Sequence, residues 1–422
     1  MEKYLREQGL KGSSYKFLFG DIKEMVKMTK DAKSRPMINL TNDIVTGVQP
    51  FVHKIVTTYA VEGDRWMKHR KIINPAFHVE KLKMIEKWEE MLKKEGSCEV
   101  DVSPYLKTLI SDVISRTAFG SSFEEGKRIF ELQLELGNLA LEALQSFYIP
   151  GSNLLPTKRN NKIKEIDREI KALIMSLIDK RIIDMKVGES NKDDLLGVLL
   201  DSNNKEIKEH GSSNFGFSVE EIIEECRLFY IAGQETTGNL LVWTMVLLGQ
   251  HTDWQARARD EVLLVFGKEK PNSDGLNRLK ILGMIFNEVL RLYPPVAILF
   301  RMVHEDTKLG NIILPAGSHL HLQMLLMHHD EEIWGDDAKE FKPERFSQGV
   351  SKVTKGQSSY FPFSGGPRIC IGQNFALLEA KMTLAMILQN FSFNLSPSYS
   401  HAPSIIPTLQ PQFGAHLILH KL

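Results

Sequence analysis

The stretch FPFSGGPRICIGQ, residues 361–373, decides how this chain is understood, because three glycines and two prolines surround Cys370. An apolar helical pattern follows directly, from Asn374 to Leu388. Glycines let a backbone approach a flat molecule closely, and prolines limit the flexibility of the loop. One sulfur therefore stands at the positive end of a helix, where the dipole and backbone N–H groups favour a thiolate. We expect Cys370 to bind a metal and Arg368 to reach an acidic group on the rim of a cofactor.

The composition narrows the class of protein. Of 422 residues, 42% are apolar and 25% charged, and Lys plus Arg equals Asp plus Glu at 53 each, so no global charge indicates a nucleic-acid partner. Cys98, Cys226 and Cys370 lie far apart, which predicts neither a disulfide framework nor a structural zinc site. The longest apolar run, Leu240 to Leu248, is shorter than the ~20 residues of a membrane span. We expect no membrane anchor within this chain.

The first half of the chain is typical of helices, and the longest of them is the most informative. Ser218 and Glu221 form a capping box, and the apolar pattern continues unbroken to about Gln250. A helix of about 30 residues is about 45 Å long, enough to cross a whole domain. Four other helices are predicted. One starts at Ser103 and another covers 161–185. A third has Thr252 as its cap and ends at Gly267, and a fourth ends at Tyr293, before two prolines.

The last third changes to short strands. Residues 301–322 alternate β-like stretches with glycines, and strands are predicted at 391–395 and 413–422. No internal repeat or low-complexity tract interrupts the chain. We therefore predict one domain over 1–422, mainly α with small β-sheets (α+β).

The predicted long helix contains an unusual group, Ala232-Gly-Gln-Glu-Thr-Thr237. Glycine in mid-helix costs about 1 kcal/mol relative to alanine. The Thr236 hydroxyl can bond the carbonyl of Ala232 and open the helix locally, with Glu235 near enough to relay protons. A packing glycine with surface polar groups explains Gly233 equally well.

Two further groups contain residues that share a helix face. Glu288 and Arg291 share a helix face, which is usually a common surface pair, but Arg345 can join them in a buried three-charge cluster that must be fully paired. Trp66 and Arg70 also share a face and can bind carboxylates, although such a pair is usually structural.

Taken together, and in the order in which they follow one another along the chain, these groups of residues resemble the cytochrome P450 superfamily of haem-thiolate monooxygenases. The family signature Phe-x-x-Gly-x-Arg-x-Cys-x-Gly is met at Phe363, Gly366, Arg368, Cys370 and Gly372. Residues 232–237, 288–291 and 343–346 resemble three further family motifs, and residues 63–77 resemble the plant seventy-two clan. The resemblance covers about residue 61 to the C-terminus. It implies the cytochrome P450 fold, incomplete in its N-terminal β region, with 1–60 as an N-terminal helical remnant and 61–422 as the haem-binding body.

The resemblance also implies roles for individual residues. Cys370 is expected to be the axial ligand of haem b (iron protoporphyrin IX), with Glu235 and Thr236 as the proton relay. Phe363 is expected to shield the sulfur. The other expected haem contacts are Ala232, Gly233 and Gly372, with Trp66, Arg70, Arg301 and Arg368 at the propionates. The expected substrate contacts are Phe229, Val296, Phe300 and Leu409, for each of which a core role is equally suitable.

The family pattern is broken between Tyr59 and Trp66, where relatives place a sheet, a helix and a substrate-gating loop. The stretch from Lys81 to Glu86 is also shortened by a helical turn or more. We infer an internally truncated form. One wall of its haem and substrate cavity would be open to water, and reduced oxygen would escape from the cavity.

The implied reaction inserts one oxygen atom from O2 into an apolar, terpenoid-like molecule or a plant hormone or specialised metabolite. Electrons are expected from NADPH through NADPH-cytochrome reductase, for which Lys68, His69 and Lys71 can offer a basic patch or are simply a solvated helix face. Relatives lie on the cytosolic face of the endoplasmic reticulum membrane, which this chain is expected to meet peripherally, through 147–150, unless it is cytosolic. The alternatives are a non-catalytic remnant and a haem-thiolate isomerase or dehydratase.

Overall fold

The computed structural model describes residues 83–93, 96–145, 155–187, 194–210, 217–354 and 359–422. The predicted remnant at 1–60, Trp66, Arg70, the basic patch at 68–71 and the segment 147–150 all lie outside the described residues. One main hydrophobic core runs from Met84 to Leu419. A smaller cluster forms around Trp334, Ala338 and Phe346.

The described residues are mainly helical with small antiparallel sheets, as the sequence predicts. The helices are α1 (83–92), α2 (Val102–Phe119), α3 (Phe123–Gln145), α4 (Lys158–Val187), α5 (Leu195–His210), α6 (Val219–Gln250), α7 (Thr252–Phe266), α8 (Ser273–Leu276), α9 (Lys280–Leu292), α10 (Met324–His328), α11 (Glu331–Trp334), α12 (Val350–Val353) and α13 (Gln373–Asn390). Short 3-10 turns occupy Pro343–Gln348 and Gly366–Arg368. Among the described residues, no helix combines the length and apolarity that crossing a bilayer requires.

Helix α6 is the central element of the core, and its start is the predicted capping box. The Ser218 hydroxyl accepts from the Glu221 N–H at 3.2 Å, and Glu221 Oε2 accepts from the Ser218 N–H at 2.7 Å. From Thr237 to Gly249 every residue is buried. A helix that is buried on all sides is a core helix, so the half of α6 that follows the Glu235-Thr236 pair is held rigidly.

The sheets lie around the helices and join distant parts of the chain. Strand β9 (His416–Lys421) lies between β1 (Ser97–Asp101) and β6 (Phe391–Leu395), all antiparallel. Strands β2 (Ile298–Met302) and β5 (His319–Gln323) pair with Phe300 opposite His321. The two remaining hairpins are β3 (Thr307–Leu309) with β4 (Ile312–Leu314), and β7 (Pro403–Ile405) with β8 (Leu409–Pro411).

Two predicted helix caps are wrong by one or two residues. Asp101, rather than Ser103, caps α2, because its Oδ1 accepts both the Ser103 N–H at 3.1 Å and the Ala415 N–H at 2.8 Å. Thr252 is the first residue of α7, and the cap position belongs to His251, which makes no capping bond with its side chain. The chain passes from α6 to α7 through His251 alone, so the turn has no room for a separate capping residue.

Candidate active site

The Cys370 loop is held by backbone bonds and by one left-handed glycine. The Cys370 N–H donates to the Phe363 carbonyl at 2.8 Å, and Gly366 has φ +66°, a conformation that favours glycine. Cys370 is exposed, and its neighbours Ile369 and Ile371 are 43% and 39% exposed. The loop therefore presents a thiol within an apolar surface, directly before α13.

Two opposing effects act on the pKa of the Cys370 thiol. The loop and α13 crowd the sulfur enough that desolvation raises the pKa of the Cys370 thiol, while the N–H groups of Gly372 and Gln373 act in the opposite direction. The N–H groups at the start of α13 thus favour the thiolate, as expected from the sequence, but desolvation outweighs their effect on the pKa of Cys370. A thiolate here needs the positive charge of a bound metal, which favours deprotonation of a coordinating sulfur.

Two predicted propionate partners belong to this loop or contact it. Arg301, on β2, donates from Nη2 to the Ser364 hydroxyl at 3.0 Å and from Nη1 to the Phe300 carbonyl at 2.9 Å. Arg368 is exposed two residues before the sulfur. A planar guanidinium suits carboxylates, so both arginines can neutralise an acidic rim.

The Ala232–Thr237 group is exposed on one side of α6 and packs against α2 on the other, within an unbroken helix. The Thr236 hydroxyl donates to the Ala232 carbonyl at 2.7 Å, as the sequence predicts, and Ala232 is exposed. At Gly233 an added Cβ would lie 2.4 Å from Ile114 Cδ1 of α2. The glycine is thus explained by helix packing, and its contact with a cofactor stays a prediction.

The Glu235 side chain is buried and already has partners in this structure. Its Oε2 lies 3.4 Å from Lys107 Nζ on α2 and accepts from the Thr408 hydroxyl at 3.3 Å. Sequence reasoning missed Lys107 and Thr408 as partners of Glu235, because both lie more than a hundred positions away in the chain. Only the spacing of four residues between Glu235 and Asn239 could have indicated part of this group.

Glu288, Arg291 and Arg345 come together as the sequence predicts, and the common surface pair is ruled out by their burial. Arg291 binds the Glu288 carboxylate with two bonds of 2.8 Å, and both side chains are fully buried. Arg345 Nε lies 3.4 Å from Glu288 Oε1 and its Nη1 pairs with Asp337. This three-charge cluster is fully paired, as a buried cluster must be.

His328 connects this cluster to the Cys370 loop. Arg291 Nη1 donates to the His328 carbonyl at 2.9 Å, and the His328 ring accepts the Phe361 N–H at Nε2, 3.1 Å away. Burial, and then the positive charge of Arg291, lowers the pKa of His328 to about 3, so its ring is neutral and Nε2 can accept. No motif in the sequence indicates this residue.

The predicted substrate residues differ in burial. Phe229, Val296 and Phe300 are half-buried, and the Phe300 ring lies 4.8 Å from the His321 ring. Leu409 is fully buried, and its carbonyl accepts from the indole of Trp243 at 3.0 Å, which matches the core alternative. For the first three residues, contact with substrate stays a prediction.

The residues around Cys370 fit a flat, apolar, acid-rimmed cofactor that carries a metal. They provide one sulfur ligand, apolar contact from Ile369 and Ile371, and positive charge from Arg301 and Arg368. Within the described ranges, no group of three or more His, Cys, Asp or Glu side chains could hold a metal ion by itself.

The sequence is similar to those of known proteins from one family. The family described as Cytochrome P450 matches residues 22–416. Cytochrome P450 CYP72A219 of Panax ginseng is 56% identical over 484 residues, which cover 100% of this chain and 93% of that protein. The 7-deoxyloganic acid hydroxylase of Catharanthus roseus is 48% identical, over 100% of this chain and 94% of its own length.

A solved structure and the alignment lengths add two findings. The retinoic acid-bound cyanobacterial CYP120A1 superposes with a TM-score of 0.68 at 25% identity, over 86% of this chain and 80% of that one. The alignment with the ginseng protein spans 484 positions against 422 residues here, so 62 of the aligned positions have no counterpart in this chain.

The family match over residues 22–416 and the identity to these relatives show where the chain belongs. It is a member of the cytochrome P450 family of monooxygenases, within the plant seventy-two clan.

Proposed function

We propose that this chain is a haem-thiolate monooxygenase that inserts one oxygen atom from O2 into an apolar, terpenoid-like small molecule or a related plant hormone or specialised metabolite. The observation that carries the proposal is the exposed Cys370 thiol in an apolar loop that Arg301 and Arg368 flank. When bound, haem b supplies the iron chemistry that activates oxygen. The loop geometry and the family membership support this assignment.

The chain's own residues would perform three tasks in this reaction. Cys370 would ligate the iron from one side, and Arg301 and Arg368 would hold the propionates. Thr236 would donate a proton at its hydroxyl on the exposed side of α6, and Glu235 would replace it with a proton taken from water. An isomerase or dehydratase does not need this proton supply, which favours oxygenation.

Relatives support the substrate class by name. The similar protein of Catharanthus roseus is named a hydroxylase of 7-deoxyloganic acid, a small organic molecule. Displacement of water from the iron shifts the absorption spectrum of the haem, so terpenoid-like compounds can be screened by this shift before any product is identified. The half-buried Phe229, Val296 and Phe300 would contact the bound molecule.

The partners and location follow from the same assignment. NADPH-cytochrome reductase would deliver the electrons from NADPH, and Lys68, His69 and Lys71 would offer it a basic patch. Trp66 and Arg70, outside the described residues, would complete the propionate site. The protein would act at the cytosolic face of the endoplasmic reticulum membrane, in peripheral contact.

The test of this function is spectroscopic and needs no known substrate. We expect the purified chain, after reduction and treatment with carbon monoxide, to show the red-shifted Soret band of thiolate-ligated haem. The Cys370→Ser variant should lose this band. A wild-type sample that stays colourless after reconstitution with hemin would overturn the proposal.

A second candidate function is favoured by one observation, the 62 alignment positions without a counterpart. If these positions belong to the cavity wall, as the break before Trp66 predicts, the chain would be a non-catalytic remnant that holds haem poorly. The same spectrum separates the two candidates. Free or wrongly ligated haem lacks the red-shifted band.

Thr236→Ala is expected to lower the share of NADPH electrons found in product by about tenfold or more, because general acid catalysis typically contributes at least that factor. The electrons lost should appear as hydrogen peroxide, and the carbon monoxide spectrum should be unchanged. Thr244→Ala is the matched control, since Thr244 makes the same 2.7 Å bond to the carbonyl four residues back on α6 but is fully buried. Equal coupling in both variants would contradict the role of Thr236.

A further inference from the structure

The Glu235 carboxylate is bound through one of its two oxygens. Oε2 lies 3.4 Å from Lys107 Nζ, and it accepts from the Thr408 hydroxyl at 3.3 Å and from the Asn239 amide at 3.4 Å. Asn239 also donates to the Thr408 hydroxyl at 2.7 Å. None of these bonds involves Oε1. Among the described residues, Oε1 is therefore the oxygen of Glu235 that is available to water or to the active site.

Lys107 is the positive charge that joins three elements at this point. Its Nζ donates to Gln410 Oε1 on β8 at 2.6 Å as well as to Glu235 on α6, while its own backbone belongs to α2. The side chain is 19% exposed, against 7% for that of Glu235. A carboxylate that is this buried requires a partner, because a buried unpaired charge is strongly unfavourable.

The side-chain stem of Lys107 packs closely against α6. A Cβ added at Gly238 would lie 3.4 Å from Lys107 Cγ, so the lysine stem runs directly along the α6 backbone. Five residues earlier on α6, Gly233 packs against Ile114, which also belongs to α2. Two glycines of α6 thus bring α2 close, and Lys107 reaches Glu235 in a defined geometry.

We propose that Lys107 is a positioning residue for Glu235. The ammonium group, with Thr408 and Asn239, holds Oε2 toward α2 and β8 and thereby leaves Oε1 free to accept a proton from water and to pass it on beside Thr236. The inference rests on the proposed function, since it concerns the proton supply of a monooxygenase. Lys107 itself touches neither cofactor nor substrate in this role.

The pairing is tested first through stability, which requires no turnover. Lys107→Met keeps the stem but removes the charge, and we expect Tm to fall by about 2–5 °C because Glu235 stays buried without its cation. Adding Glu235→Gln to Lys107→Met should restore at least half of that loss. If the double variant is no more stable than Lys107→Met, the two side chains do not act as a pair and the inference is overturned.

The positioning role is tested through coupling, with the carbon monoxide spectrum as the control on haem ligation. Lys107→Met is expected to lower the share of electrons found in product about tenfold, with an unchanged spectrum, and Lys107→Arg should restore it to within about twofold. Lys127→Met, at an exposed lysine of α3, should match wild type.

The outcomes separate this inference from the proposed function. Absence of the thiolate-haem band in wild type means that the monooxygenase assignment fails, whatever Lys107 does, and the positioning role falls with it. A coupled wild type with an equally coupled Lys107→Met variant overturns the inference alone. Equal loss in Lys107→Met and Lys107→Arg overturns it too, because the charge would then not matter.

Discussion

Arg291→Met is expected to destabilise the folded chain by about 3–5 kcal/mol, the typical result of removing one partner from a buried ion pair. The guanidinium has five N–H donors, and the structure provides acceptors for all of them, from Glu288 and from the carbonyls of His328, Ala338 and Glu340. Methionine satisfies none of these groups. It also leaves the Glu288 carboxylate fully buried without its main cation. Urea unfolding, followed by circular dichroism, measures the loss.

Two controls make this prediction specific. Arg128 binds Glu169 through two bonds as well, but these side chains are 50% and 39% exposed, so Arg128→Met should destabilise the chain far less than Arg291→Met does. The double variant Glu288→Gln with Arg291→Met should be more stable than Arg291→Met alone, because no unpaired buried charge is left. If the buried and exposed arginines cost the same, burial of the cluster is not what stabilises this region.

The folded chain is expected to lose stability as the pH falls from about 6.5 toward 3, through His328. Burial and the charges of Arg291 and His329 lower the pKa of His328 to about 3, against an ordinary value of 6.5. Between these values the unfolded chain binds a proton at His328 and the folded chain does not, so acid favours unfolding. At 1.36 kcal/mol for each pKa unit, the full loss is about 4–5 kcal/mol.

The measurement compares the pH dependence of unfolding in variants that differ only at one histidine. His328→Gln can still accept the Phe361 N–H but does not titrate, so its free energy of unfolding should change with pH less steeply than that of wild type, by about 1.4 kcal/mol per pH unit between pH 6 and 4. His304→Gln, at an exposed site, should follow wild type. Parallel curves for wild type and His328→Gln would contradict the assignment.

Both predictions concern how the Cys370 loop is held. The backbone of the loop begins at Phe361, which His328 binds, and His328 is in turn bound by Arg291. Helix α9, which carries Glu288 and Arg291, is thus connected by hydrogen bonds to the loop that presents the thiol. Loss of the cluster should therefore weaken haem retention as well as stability.

Much of the fold can be predicted from the sequence. The capping box at Ser218, the proline pair after Tyr293 and the strand at 391–395 mark element boundaries through local chemistry, and the structure confirms them. The Cys370 loop, the Thr236 bond to Ala232 and the pairing of Glu288 with Arg291 are also local, because their partners lie within one loop or one helical turn. Residues this close in the chain meet in any fold that forms the local element.

The other decisive features join residues that are distant in the chain, and only the tertiary structure decided them. Strand β1 pairs with β9, Lys107 reaches Glu235 and Gln410, and His328 meets Phe361 through packing alone. Burial is collective in the same way: it makes Leu409 a core residue, and it raises the pKa of Cys370 against the effect of the helix end. The sequence thus determined the family and predicts the ligand, whereas the surroundings of each charge arose from packing, since desolvation depends on every neighbouring atom.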